Sequence, residues 1–213
     1  MKTDDLIKAL VADNGTVERP ISRTVLLALA AGILLSASTF MALLHIRPDF
    51  ADAIVHEPRF LFKFIFTLTL GAASWPLVRR LARPDGEASR VLPLLIVPLV
   101  LLIAAVCLEM LSVPAASWPM HALGSMPGAC MKYIPILSTA PLAAFLVALR
   151  HGAPTHPAAA GAAAGLLAGA IGATLYASFC IDDSPMFLAI WYVLGLTIVT
   201  AAGAALGAWL LKW

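Results

Sequence analysis

Residues 158–180 read AAAGAAAGLLAGAIGATLYASFC, a run without a single charged side chain. A helix needs about 20 apolar residues to cross the hydrocarbon core of a bilayer, so this run predicts a transmembrane helix. Further apolar runs lie at about 24–46, 60–81, 91–113, 128–149 and 187–211. With 61% hydrophobic and 12% charged residues, the composition excludes an ordinary soluble domain. The sequence predicts an all-α integral membrane protein with six transmembrane helices in one bundle.

The six runs occupy most of the 213 residues and leave only short connections between them. We therefore expect two parts, a cytoplasmic N-terminal segment at residues 1–23 and a six-helix transmembrane domain at residues 24–213. The small residues at 36–38 resemble a signal-peptide cleavage site. However, acids and bases are equal in number before the first run, and the run continues to Ile46, which is typical of a spanning helix.

The distribution of lysine and arginine predicts the orientation, because these residues collect on the cytoplasmic side. The side that holds both termini would carry ten of them: Lys2, Lys8, Arg19, Arg23, Arg79, Arg80, Arg83, Arg90, Arg150 and Lys212. The other side would carry four: Arg47, Arg59, Lys63 and Lys132. Both termini are therefore predicted to be cytoplasmic.

All three cysteines, Cys107, Cys130 and Cys180, would then lie toward the outer side. One interpretation is that they are small apolar residues that simply pack in the bundle. No CxxC motif is present, so neither a thioredoxin-like nor a zinc-ribbon site is indicated. The histidines lack the spacing of a helical metal site, and no metal site is assigned. A soft-metal site made of two of the three thiolates is the remaining metal hypothesis.

Charged side chains gather at the same predicted level, namely Lys63, Glu109, Lys132, Asp182 and Asp183. Lys63, Glu109 and Lys132 are each within snorkelling reach of the outer interface. The alternative is that Glu109 pairs with Lys63 or Lys132 and fixes the helices that carry the thiols. For Asp182 and Asp183 we favour helix capping, because Asp183 or Ser184 before a proline is a good start for the sixth helix.

Glycines recur every fourth residue in the fifth run, at 161, 165 and 169, and the sixth run adds Gly203 and Gly207. Small residues at this spacing let helix backbones approach closely. We therefore expect helices five and six to pack tightly, either against each other or against other helices. The same spacing leaves open whether copies of the chain associate.

The segment MKTDDLIKALVADNGTVERP at residues 1–20 is the longest polar stretch on the predicted cytoplasmic side. Thr3 can cap a short helix whose first turn holds Asp4 and Asp5. One stripe of that helix would be apolar: Leu6, Ile7, Leu10 and Val11. So short a helix is marginal alone, and its acidic polar face suits a protein groove better than a membrane surface. A protein partner is predicted.

Several dispersed stretches together resemble one known family. They are MKTDDLIKAL at 1–10, RPD at 47–49 followed by a Pro-Arg-Phe and Lys63, CMKYIPILSTAPL at 130–142, YASFCIDDSPMFLAIWY at 176–192 and the final GAWLLKW. The pattern resembles the NrsF family of proteobacterial anti-sigma factors, and it runs almost from end to end of the chain.

The resemblance implies a non-enzymatic function without a cofactor. It implies a six-helix protein of the bacterial inner membrane that sequesters an extracytoplasmic-function sigma factor and makes no direct contact with nucleic acid. The resemblance implies that the N-terminal segment binds the sigma factor, and the family's DDLI-type stretch matches residues 4–7. Release under oxidative or heavy-metal stress falls to outer-side cysteines, which match Cys130 and Cys180. Cys107 has no counterpart, and its place within helix three suggests a packing residue.

Two other classes compete with this function. A small membrane transporter would show polar groups at mid-membrane and an internal repeat, whereas the ionisable groups here cluster near the outer ends. A thiol-redox membrane protein would show a CxxC motif or a cofactor site. Neither pattern is present in the sequence.

Overall fold

The computed structural model describes residue 3, residues 21–84 and residues 86–212. Its six long helices, called α1 to α6 below, are each long and apolar enough to cross a membrane. They are α1 Ile21–Leu43, α2 Pro58–Leu81, α3 Leu92–Ser112, α4 Pro127–Leu149, α5 Pro157–Ala177 and α6 Pro185–Leu210. The predicted all-α fold with six helices of membrane-spanning length is confirmed for the described residues, in which no strand occurs.

Three of these elements contain or adjoin irregular turns. Helix α3 opens with the 3₁₀ turn Leu92–Leu95, and α6 contains the π-helical turn Leu188–Tyr192 between Pro185–Phe187 and Val193–Leu210. Helix α4 follows a 3₁₀ turn and the short helix Trp118–Leu123. Another short helix, Phe50–His56, lies between α1 and α2.

Helix α5 occupies the centre of the bundle and packs against α1, α2, α4 and α6. Its contact with α6 is a seam of glycines, called the glycine seam below. A Cβ atom placed on Gly161 would clash with the carbonyl oxygen of Gly203, and one on Gly207 would lie 2.7 Å from the Cα of Gly161. Backbone therefore touches backbone, and the predicted tight packing of these two helices is confirmed.

The buried side chains form two apolar clusters, one toward each end of the bundle. The first cluster includes Val25, Leu81 and Leu211, at the end where the described chain begins and finishes. We call this the terminal end. The second cluster includes Cys130 and Cys180, and we call its end the thiol end. The connections 44–57, 113–126 and 178–184 meet there.

Helix α3 is the least buried of the six long helices. Apolar side chains such as Leu108 and Leu111 are exposed along it. Cys107 is also exposed, on the surface of the bundle. The expectation that Cys107 lies buried as a packing residue is therefore wrong, because the rotation of α3 turns this thiol away from the neighbouring helices.

Candidate functional site

Residues 178–184, which connect α5 to α6, form the centre of the thiol end, and we call them the hub segment. Each of the other two connections at this end hydrogen-bonds to it. The Arg47 amide donates to the Ser178 carbonyl at 3.1 Å, and the Ser125 amide donates to the Asp182 carboxylate at 3.0 Å. Side chains of α2 and α3 reach it as well, as described below. The hub segment thus joins all the connections at this end.

Cys130 and Cys180 are brought together beneath the hub segment. Cys130 lies in the first turn of α4 and Cys180 just beyond the last turn of α5. Both are free thiols and both are buried, at 0% and 2% exposure. The Cys130 sulfur lies 3.5 Å from the Tyr176 hydroxyl oxygen, and the Cys180 sulfur lies 3.8 Å from the Asp182 carbonyl oxygen. The two predicted sensing cysteines therefore share one aromatic-lined, shielded site.

The surroundings of Cys180 favour its thiolate form. The Cys130 thiol, acting as a hydrogen-bond donor, lowers the pKa of Cys180 to about 7, against the opposing effect of burial. The Lys63 ammonium contributes to the same lowering. Since the thiolate is the nucleophile and the metal ligand, Cys180 is the more reactive candidate of the pair.

Lys63 is fully buried in α2 and directs its ammonium at the hub segment. It donates to the Cys180 carbonyl at 2.7 Å and pairs with the Asp183 carboxylate at 2.5 Å. The ammonium also lies 5.1 Å from the centre of the Phe60 ring. A buried ammonium is costly without partners, so these bonds fix the hub segment on α2. The snorkelling interpretation of Lys63 is wrong, because its head is enclosed by protein.

Asp183 is shared between two cations. Besides Lys63 it accepts from the Arg47 guanidinium at 2.9 and 3.2 Å, and Arg47 in turn forms a forked pair with Asp49 at 2.6 and 2.7 Å. The hydrogen bond from Arg47 lowers the pKa of Asp49 to about 2. Of the two residues expected to cap α6, Asp183 does not do so and Ser184 does. Ser184 is the N-cap of α6 and accepts from the Phe187 amide at 3.4 Å.

Asp182 does not cap α6 either. Its carboxylate accepts from the amide and hydroxyl of Ser125, at 3.0 and 2.9 Å, and from the Met126 amide at 3.3 Å. These bonds fasten the hub segment to the start of α4, the helix that carries Cys130. The sequence could not reveal this, because the bonded residues lie more than fifty positions apart along the chain.

Glu109 has partners other than the two that were expected. One of its oxygens accepts from the Ser184 hydroxyl at 2.8 Å and from the Met186 amide at 3.0 Å. The other lies 3.6 Å from the Arg59 guanidinium and 3.3 Å from His121 Nδ1. The predicted pairing of Glu109 with Lys63 or Lys132 is wrong.

Lys132 takes no part in the Glu109 contacts. Its side chain is exposed, and its ammonium lies 5.3 Å from the centre of the Tyr133 ring. The snorkelling interpretation therefore fits Lys132, while Glu109 holds α3 on the start of α6.

Several contributors to the site were missed by sequence reasoning. Arg47 and Arg59 counted only toward the charge distribution and the family resemblance, and Tyr176 only toward the resemblance. His121 was considered only with the other histidines, for a metal site. The RPD stretch that contains Arg47 was the available signal. Among the described residues, no group of three or more His, Cys, Asp or Glu side chains could hold a metal ion. A metal at this site would have two thiolates as its protein ligands.

The predicted sigma-binding residues Asp4, Asp5, Leu6, Ile7, Leu10 and Val11 lie outside the described residues. The structure describes Ile21, the residue that follows residues 1–20. Ile21 begins α1 at the terminal end, where its side chain contacts Gly152 beside the carbonyl of Ala82.

The fold and the site define a class: a six-helix bundle of membrane-spanning length, with a buried thiol pair and a charged network at one end. The chain belongs to the NrsF family, negative regulator of sigma F, whose profile matches residues 10–213. It is 38% identical to the anti-sigma-F factor NrsF of Caulobacter vibrioides, and 35% identical to the probable anti-sigma-F factor NrsF of Azospira oryzae. Both matches cover the whole of each chain. No solved structure matches significantly. These relatives are named as regulators rather than enzymes.

Proposed function

We propose that this chain is a membrane-bound anti-sigma factor that holds an extracytoplasmic-function sigma factor through residues 1–20. Oxidants or heavy metals acting on Cys130 and Cys180 would release it. Membership of the family makes the chain a negative regulator of sigma F, with a sigma factor as its partner. The observation that carries the sensing part is the thiol pair, two buried free cysteines from different helices placed side by side.

The location proposed is the bacterial inner membrane, with both termini in the cytoplasm. Six apolar helices support insertion. The arginines Arg79, Arg80 and Arg83 lie exposed near the terminal end, as the preference of basic residues for the cytoplasm requires. The thiol end would then face the outside, and the sigma factor would bind at the opposite end of the bundle.

Burial of the thiols suits a sensor that faces an oxidising compartment. An exposed pair there would already be joined, so only a shielded pair stays available for a stress signal. An oxidant would take two electrons from the pair, the two sulfur-bound protons would leave, and one S–S bond would form between Cys130 and Cys180. A thiophilic metal ion would instead displace the same two protons and bridge the sulfurs.

Either event would change how α4 meets the hub segment. A disulfide holds its two Cα atoms at a fixed separation below about 7 Å and replaces the existing thiol hydrogen bonds. Since the hub segment is bonded to Lys63, Arg47, Ser125 and Glu109, a shift of Cys180 reaches each of the other connections at the thiol end.

Co-expression with candidate sigma factors tests the binding part. The full-length chain should capture a sigma factor, and a version without residues 1–15 should not. Loss of capture in both versions would contradict the proposal. Cys130→Ser and Cys180→Ser should each capture normally but fail to release under stress. Cys107→Ser is the matched control, because this thiol is exposed on the far surface of α3.

A further inference from the structure

Helix α1 links the hub segment to the N-terminal segment. At its thiol end, the connection after Leu43 contacts the hub segment in three ways. The Arg47 amide bonds the Ser178 carbonyl, the Arg47 guanidinium bonds Asp183, and the His45 ring packs edge-on against Phe179 with centroids 5.7 Å apart. At its other end α1 begins at Ile21, directly after residues 1–20.

The guanidinium of Arg47 is well placed to transmit a displacement. Only 8% of the residue is exposed. Its guanidinium hydrogen-bonds both to Asp183 of the hub segment and to Asp49 of the connection itself. Breaking one partner from a buried ion pair is costly, so a shift of the hub segment favours a shift of Arg47 with it. The planar guanidinium also fixes the direction of these hydrogen bonds, which a lysine ammonium would not do.

Helix α1 is suited to carry that shift. It is continuous over 23 residues without a proline inside, which corresponds to about 34 Å. Its main neighbour is α4, against which Gly32 meets Pro141 and the Ser36 hydroxyl donates to the Leu137 carbonyl at 2.7 Å. Lys63 and Glu109 also bind the hub segment, but α2 and α3 do not run into residues 1–20.

We propose that Arg47 is the positioning residue that couples the hub segment to α1, and through α1 to the N-terminal segment. This inference rests on the proposed function, since it supplies the route from the thiol pair to the sigma-binding residues. The RPD stretch thereby gains a role, because its arginine bonds Asp183 on the hub segment.

The test uses the full chain in lipid nanodiscs with bound sigma factor, treated with diamide as the oxidant. Three quantities are measured: disulfide content by intact mass, the fraction of sigma factor released, and amide hydrogen exchange over residues 21–25. Arg47→Met breaks the contact from one side and Asp183→Asn weakens it from the other. Asp49→Asn is the matched control, since it leaves both bonds from Arg47 to the hub segment.

All three variants should capture the sigma factor under reducing conditions and form the disulfide to the same extent as the wild type. Release by Arg47→Met and Asp183→Asn should fall at least about fivefold, the lower bound for a typical coupling free energy. Their exchange at 21–25 should no longer respond to diamide. Asp49→Asn should behave nearly as the wild type, and Arg47→Lys should fall between.

Wild-type release and exchange responses in Arg47→Met, at equal disulfide content, would overturn the inference. If hydrogen exchange at 21–25 in the wild type responds to diamide while the sigma factor stays bound, the proposed function fails. The exchange data on Arg47→Met then still show whether Arg47 couples the hub segment to α1. A wild type that forms the disulfide with neither response would overturn both.

Discussion

The pH dependence of Cys180 reactivity follows directly from its surroundings. In a Cys107→Ser, Cys130→Ser protein the serine hydroxyl still offers a donor to Cys180, and Lys63 is unchanged. With a pKa of about 7 instead of 9, about half of Cys180 is thiolate at pH 7, compared with about one hundredth for an ordinary thiol. Thiolate nucleophilicity falls roughly eightfold over two pKa units, so the intrinsic rate advantage at pH 7 is about sixfold before burial of the sulfur slows the access of a reagent.

The assay is the rate of labelling by a small alkylating reagent between pH 5.5 and pH 10, followed by intact mass. The rate should rise with pH and level off with a midpoint well below 9, because Lys63 and the serine hydroxyl still lower the pKa of Cys180. In urea-unfolded protein the midpoint should move to about 9. The sign follows from the lowered pKa: the thiolate stabilises the folded chain above about pH 9, and this contribution is lost as the pH falls through 7.

Replacing Cys130 by alanine, which removes the donor, should raise the midpoint in the folded protein above that of the serine variant. Identical midpoints in folded and unfolded protein, both above pH 8.5, would refute the assignment of Cys180 as the more reactive thiol.

Three further predictions concern stability, each measured as the free energy of unfolding in detergent micelles. Gly161→Ala should destabilise by roughly 1–3 kcal/mol because its Cβ would meet the backbone of α6, whereas Gly128→Ala, which has open space around it, should be neutral or slightly stabilising; equal losses would contradict the glycine seam. Tyr192→Phe should be neutral or stabilise by up to about 1 kcal/mol, because its buried hydroxyl has no hydrogen-bond partner in the described part of the chain; a loss above 1 kcal/mol would show that this hydroxyl is bonded. Lys63→Met should cost about 3 kcal/mol, and Arg59→Met, whose side chain is 43% exposed, less than about 1 kcal/mol; the reverse order would argue against the buried ion pair.

Hydrophobic runs were sufficient to predict the six long helices. Their ends shift by only a few residues, as for the fifth run, which was expected to reach residue 180 and stops at Ala177. There the chain leaves the helix and enters the hub segment. Lys63 and the Asp182 carboxylate form hydrogen bonds in this segment that replace those of a helix. The glycine seam was also predictable, because a four-residue spacing of small side chains has one main structural use.

The partners of the charged side chains were not predictable from the sequence. Glu109 and Lys63 lie at the same depth and carry opposite charge, yet they bind different parts of the hub segment and its neighbour α6. Which partner each side chain binds depends on how α2 and α3 are rotated about their axes. The hydropathy pattern does not specify that rotation. The exposure of Cys107 has the same cause.

The glycine seam has a consequence for the order in which the protein is made. It joins α5 to α6, so this close backbone contact forms only after Gly203 and Gly207 have been synthesised. Until then the central helix α5 has exposed glycine backbone where α6 will lie. A chain stopped before residue 203 would keep the thiol pair and the hub segment but lack this closure. We expect such truncated chains to be degraded rather than to accumulate, which a pulse-chase comparison with the full chain would measure.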